Sequence, residues 1–409
     1  MDRVVSQVSW RFPPEWLVFS VIVVDLIGFG ILIPILPFMS PALGGDEMDV
    51  AFVIAIYSLC AGIAGPFWGG LSDRIGRKQV LMVCLFGGAL SYGMIGVASE
   101  LWMLYAARAV GGVMAGSLPV ASALMADVSA PHRRAKAMGL VGTAFGLGLI
   151  LGPVIGGVLA GPNGTFLWPG LFAAAMSLVS VVLAGWLLPA DRQNAEAIKK
   201  VRKVAGPVNM FAFIRRRHAL LLTLQYTLHT GAVSAAIYLS PLWLAAYLSW
   251  GPREVGILFG LVGVAMIVVQ GGMMDWMTRT FGLINVLTAG AAIFAASLVA
   301  AVVVETEFTR GLVIFTAFAG ATCCLPVLNT VASSIVDTQE RGRMMGVTAL
   351  AASIGRVIGP LATGLVLAVS DYPMSWFVIA LPVFLVLLWS RTGAARYARP
   401  GGLQPSDPL

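Results

Sequence analysis

Asp25 stands about nine residues into a long apolar run, in the stretch VVDLIGFGILIPILP. A carboxylate at membrane depth costs about 2.5–3.5 kcal/mol on insertion scales, so it must face a cavity or a partner. There it can take up and release a proton as its solvation changes; the alternative is a structural aspartate bonded to a neighbouring hydroxyl or backbone group. Arg108, in LYAARAVGGVMAG, is a second charge inside an apolar run. A guanidinium does not discharge itself by losing its proton, so it needs an acceptor or water. Near Asp25 it would tune proton release; otherwise it would bond backbone carbonyls. Arg356, in SIGRVIGP, is the third. It would either neutralise Asp25 or meet an anionic group on a substrate. His229 is a weaker candidate: histidine titrates near neutral pH, but a lone helical histidine is more often a packing residue. Phe29, Tyr57, Tyr226, Tyr238 and Trp243 are candidates to line an apolar pocket.

These charges matter because of what surrounds them. Hydrophobic residues make up 58% of 409 positions and charged residues 11%, against roughly 25% charged in soluble domains. Apolar runs near the bilayer-spanning length of about 20 residues recur along the chain. Twelve are read, at 16–38, 50–71, 79–98, 101–125, 136–160, 166–188, 217–247, 255–276, 282–304, 309–331, 341–369 and 373–391. The first is too long for a signal peptide and has no A-x-A cleavage site. The expected fold is an all-α membrane protein with twelve transmembrane helices in two pseudo-symmetric six-helix bundles.

With the amino terminus in the cytoplasm, 22 of the 26 lysines and arginines fall on inner segments. Asp46, Glu47, Asp49, Glu100, Glu305, Glu307 and Asp371 gather on the other side. By the positive-inside rule both termini are expected inside, as in a multi-pass protein of a bacterial inner membrane. The net charge of +7 thus reports orientation in a lipid bilayer and not a nucleic-acid partner. Cys60, Cys84, Cys323 and Cys324 lie within apolar runs without metal-ligand spacing, so neither a disulfide nor a metal site is expected.

The chain divides at its one long polar stretch. The expected organisation is a bundle at 1–188, a cytoplasmic linker at 189–216 and a second bundle at 217–409. An internal repeat supports it: Leu118–Pro119, Met138–Gly139 and Gly152–Pro153 recur as Leu325–Pro326, Met345–Gly346 and Gly359–Pro360, all at an offset of 207. Duplicated halves of this kind build a central site at their interface. At the same offset Arg108 meets Phe315, so the chemistry is asymmetric.

Two further segments carry signals. The stretch GGLSDRIGRKQVL, Gly69 to Leu81, forms a short basic link between two runs, and GGMMDWMTR echoes it at an offset of 202. Charges at adjacent helix ends there can lock one conformation through paired hydrogen bonds. The stretch GTAFGLGLILGPVIGG packs six glycines and Pro153 into the fifth run, which permits close helix crossing and a bend.

The Gly69–Leu81 link resembles the signature loop of the major facilitator superfamily. With DLIGFGILIPILP, LYAARAVGGVMAG and GLGLILGPVIGG in order, residues 25–161 look like its drug/proton antiporter branch, most like tetracycline exporters. The resemblance implies that Asp25 and Arg108 couple transport to protons. It implies that Asp73, Arg77 and Asp127, with Gly69 and Gly76, form a cytoplasmic gate. Gly148, Gly152, Pro153, Gly156 and Gly157 correspond to the antiporter helix motif. The tetracycline exporters carry an acid in their ninth helix, whereas Leu283–Val304 has none, a departure from the tetracycline pattern.

The expected function is export of a hydrophobic or amphipathic small molecule in exchange for protons, by alternating access. No cofactor is expected, since the proton gradient drives it and no GxxxxGK[ST] loop is present. No serine–histidine–acid set suggests an enzyme, and a monomer is expected. An importer of an organic solute and a non-transporting sensor or assembly protein are the alternatives.

Overall fold

The computed structural model describes residues 14–130, 133–160, 166–188, 217–334, 336 and 340–392. The 189–216 linker lies outside the described residues. Twelve described helices are long and apolar enough to cross a membrane. They are α1 (Pro14–Leu32), α2 (Glu47–Ile75), α3 (Arg77–Gly96), α4 (Leu101–Val128), α5 (Arg134–Ala160), α6 (Leu167–Leu187), α7 (Arg217–Leu248), α8 (Pro252–Phe281), α9 (Leu283–Ala300), α10 (Glu307–Ser334), α11 (Arg341–Val369) and α12 (Tyr372–Thr392). Their outward faces carry bare apolar side chains such as Phe86, Trp186 and Leu388. Such faces are stable against lipid tails and not against water.

The helices pack in two six-membered bundles with matching neighbours. In the first, α1 lies on α5 and α6, α3 on α6, and α2 on α4; in the second, α7 lies on α11 and α12, α9 on α12, and α8 on α10. Between bundles α2 packs on α11 and α5 on α8, which are equivalent pairings with the halves exchanged.

Several boundaries depart from the expected runs for local reasons. α1 stops at Leu32; a turn through Pro34 follows, and a separate short helix, Leu36–Ala42, completes the stretch. Proline has no N–H to continue the ladder. α2 starts on a reciprocal cap, in which the Asp46 and Asp49 side chains each accept the other's backbone N–H at 2.9 Å. It runs on to Ile75, so most of the expected basic link is helical. Gly76 alone joins α2 to α3, at φ 111° and ψ 146°. Gly282 alone joins α8 to α9, at φ 85° and ψ 149°. A side chain is strongly disfavoured at such angles, which is why both joints are glycine.

Two helices have irregular interiors. α4 breaks between Val113 and Ser117, and the Val113 carbonyl at the break accepts the Trp68 indole N–H from α2. α8 contains a π-helical turn, Val268–Met273, at the point where the echo of the signature stretch begins.

Candidate functional site

The two bundles enclose a cavity of about 380 Å³, a size that suits a small organic ligand. The first half lines it with Phe29, Tyr57, Arg108, Phe145 and Pro153, and the second with His229, Phe259, Gln270, Phe318 and Arg356. The wall is mostly aromatic and aliphatic. Its cations are Arg108 and Arg356, one from each half, and no carboxylate lines it among the described residues. Phe29 and Tyr57 lie at a tilt with ring centroids 6.0 Å apart, and His229 stands edge-on to Phe294. Gln270 enters the wall from the π turn of α8.

Tyr226 and Tyr238, named as pocket candidates, do not line this cavity. The Tyr226 hydroxyl donates to the Asn329 side-chain oxygen. The Tyr238 hydroxyl donates across the interface to the Glu47 carbonyl, at 2.8 Å. Trp243 instead lies in the core beneath the Arg310 guanidinium. Sequence alone marks an aromatic on a helix but not which way it faces.

Asp25 also lies outside the central cavity. It borders a small void of about 10 Å³, walled by Val21, Leu26, Leu81, Leu85 and Ser117. That is room for about one water. Ser117 donates to Asp25 Oδ2 at 2.8 Å; the Ser177 hydroxyl lies 3.3 Å from Oδ1 and donates at 2.9 Å to the Leu85 carbonyl. The break in α4 produces this contact, because Ser117 is the first residue of the helix after the break. Neither serine stood out in the sequence; the one available signal was a hydroxyl directly after the Gly111–Gly116 small-residue stretch.

Arg108 does not bond Asp25. It is buried, its Nε donates to the Val53 carbonyl at 3.2 Å, and its guanidinium lies 4.1 Å from the Tyr57 ring centroid. A cation over an aromatic face is a favourable pairing, stronger when desolvated. Tyr57 lies within electrostatic reach of Arg108, Asp25 and Arg356 together. Arg356 itself donates to the Ser353 hydroxyl at 3.0 Å.

At the end of the molecule rich in lysine and arginine, Arg77 gathers three partners. It meets Asp73 at 2.7 Å, Asp127 at 3.1 Å and the Ser72 hydroxyl at 2.7 Å. The expected trio is therefore assembled, but entirely within the first half, tying the end of α2 to α3 and α4. Lys78 does more than obey topology: its Nζ donates to the Gly185 and Leu188 carbonyls at 2.7 and 2.6 Å, capping α6. In the echo, Arg279 meets Asp275 at 2.9 Å on an exposed face.

The glycines of α5 serve two neighbours. Side-chain carbons at Gly148, Gly152 and Gly156 would run into Leu26, Gly30 and Ile31 of α1. One at Gly157 would fall 2.6 Å from the Pro252 carbonyl of α8, in the other half. Gly364 of α11 is similarly close to Ala51 and Met48 of α2. These crossings lie toward the acidic end. At the basic end, Gly65, Gly69 and Gly70 of α2, Gly139 and Gly142 of α5, and Gly272 of α8 have nothing within 4 Å of an added carbon. The halves thus touch at the acidic end and part at the basic end.

The sequence profile of the Major Facilitator Superfamily matches residues 18–243 and 222–406. The chain is 27% identical over 392 residues to the class C tetracycline resistance protein of Escherichia coli, covering 91% of this chain and 97% of that protein. It is 25% identical over 366 residues to multidrug resistance protein 1 of Bacillus subtilis (strain 168), covering 89% and 92%. Among solved structures it superposes on a bacterial homolog of the human lysosomal transporter Spinster with a TM-score of 0.75, at 15% identity, covering 98% and 100%.

Proposed function

From the premise that this chain belongs to the Major Facilitator Superfamily, a class of secondary transporters and not of enzymes, we propose that it exports an amphipathic, drug-like molecule in exchange for protons. The observation that carries the proposal is the separation of two sites, one inside the first half and one between the halves. A carboxyl group sits in a void of about 10 Å³ while the cavity of about 380 Å³ lies beside it, between the halves. Cargo and proton can then occupy different places and still bias the same rocking motion. The named drug-resistance relatives favour export as the direction.

The protein is a multi-pass membrane protein. We place its basic end and both termini in the cytoplasm of a bacterium, by the positive-inside rule. On that orientation the described conformation opens inward, ready to load cargo. Opening outward would bring α11 and α8 against the bare glycine faces of α2 and α5, with the Asp73–Arg77–Asp127 cluster bracing α2 beneath them. Asp25 would take its proton in the outward state and release it in the inward one. Arg108 acts on that exchange through Tyr57 and the shape of the cavity wall, not by contact. The driving force is adequate: one pH unit supplies about 1.4 kcal/mol and 100 mV roughly 2.3 kcal/mol per charge. The unit is taken as a monomer.

The test is uptake into everted vesicles of a fluorescent amphipath, with and without an imposed pH gradient. Uptake that follows the gradient in the intact protein and is lost in Asp25→Asn is the expected result. Uptake indifferent to the gradient, or equal in Asp25→Asn, overturns the reading.

A further inference from the structure

We propose that the cargo carries an anionic head group, held between Arg108 and Arg356, with its apolar body against the aromatic wall. This rests on the preceding reading only in taking the central cavity as the cargo site.

The charge balance of the cavity is the starting point. It holds two guanidiniums and, among the described residues, no carboxylate. The ion pairs among those residues join Arg77 to Asp73 and Asp127, and Arg279 to Asp275; none involves Arg108 or Arg356. Asp25, which with both arginines lies within electrostatic reach of Tyr57, borders a separate void and accepts from Ser117, with the Ser177 hydroxyl 3.3 Å from its other oxygen. With Asp25 ionised one net positive charge remains near Tyr57, and with Asp25 protonated two remain. The site is therefore cationic in both forms.

Cations removed from water without a counter-charge are costly, and they are retained where they meet an anion or do work. Arg108 spends its Nε on the Val53 carbonyl, and Arg356 spends one terminal nitrogen on Ser353. Both residues line the same mostly apolar chamber, and each has further N–H groups beyond these bonds. Guanidinium forks suit carboxylate, sulfonate and phosphate oxygens. Because α4 and α11 belong to different bundles, one anion bonded to both would bridge the halves. The rest of the wall asks for a flat, apolar body, with Phe29 and Tyr57 on one side and Phe259 and Phe318 on the other. Exchange of one proton inward for one monoanion outward moves two charges the same way. An inside-negative potential therefore favours it twice as strongly as it would favour the movement of a single charge.

The test is equilibrium binding to purified protein with no gradient present, so its outcome is independent of whether transport is coupled to protons. Three probes share one body: 2-naphthoate, its methyl ester and 2-naphthylmethylammonium. The expected result is that the carboxylate binds at least about tenfold tighter than either of the others, equivalent to about 1.4 kcal/mol. Arg356→Gln should collapse that preference, while Arg356→Lys, which keeps the charge, should retain part of it. Failure of naphthoate to bind, a preference for the ester or the ammonium, or a preference unaltered in Arg356→Gln overturns the proposal. Selective binding without gradient-driven movement would sink the antiport reading and leave this one standing.

Discussion

The two halves of the molecule cross their helices in the same way and do different chemistry. α5 crosses α1 where Gly152 meets Gly30, and α11 crosses α7 where Gly359 meets Gly231. Five residues before the crossing glycine the first half has Asp25 and the second has Tyr226. Asp25 is met by two serines; Tyr226 is tied to Asn329. The basic-end motif shows the same divergence. Arg77 binds two aspartates and a serine, while Arg279 keeps one exposed partner. Duplication preserved what backbone packing demands, since glycines at a tight crossing tolerate nothing larger. The ionisable groups answer to no such constraint, and the two copies carry different ones: the membrane carboxylate Asp25 stands in the first half, and His229 and Arg356 line the cavity from the second.

That contrast can be broken in several places. The largest effect is expected at the Asp25/Tyr226 pair. Asp25→Asn should lower gradient-driven transport by at least about a hundredfold, the scale of losing a proton-transfer group. Tyr226→Phe should change it by less than about threefold, since a single hydrogen bond is worth roughly 0.5–1.5 kcal/mol and that residue carries no proton cargo. Comparable losses in both, read in vesicles, would mean that the halves share the chemistry.

Packing should show the opposite pattern. Gly152→Val and Gly359→Val each drive carbons into a facing backbone. Both should destabilise the purified protein by about 1–3 kcal/mol or more, seen as a lower melting temperature in detergent. A normal melting temperature in either would show that its crossing has room for a larger side chain.

At the basic end the halves should differ again. Arg77→Ala should cut transport by about five- to tenfold, because three bonds are lost at a partly exposed site. Arg279→Ala should be close to silent, since exposed helical pairs contribute little. Equal effects would restore the echo to functional rank.

A more modest effect than that of Arg77→Ala is expected at Tyr238, which bonds the Glu47 carbonyl across the interface. Tyr238→Phe should shift the conformational balance by about fivefold toward opening at the acidic end, the worth of about 1 kcal/mol. Thiol labelling of a cysteine placed at Ser58, which lines the cavity, would register it as faster modification from outside.

The twelve spans were legible because apolar length is a bulk property of a segment. The glycine crossings and the basic-end charges were legible because their residue types are rare and regularly spaced. What was not legible depended on how a helix is rotated. Arg108 and Asp25 look like partners in a list of buried charges, yet Val53 and Tyr57 of α2 claim the arginine first. Ser117 reaches Asp25 only because α4 breaks before it, and Gln270 enters the cavity wall from a π turn that no hydropathy pattern announces. Tyr226 and Tyr238 point elsewhere for the same reason. The extension of α2 to Ile75 was hidden by its polar composition, which reads as a loop until its ladder is seen.

The one-residue joints at Gly76 and Gly282 have a mechanical corollary. A hairpin with a single linking residue has no slack, so a push on the tip of α2 is delivered to α3 without lag, and likewise from α8 to α9. Each pair must swing as a stiff lever. Splicing two or three flexible residues beside Gly76 would uncouple the arms, leaving cargo and proton sites whole while the stroke between them goes limp.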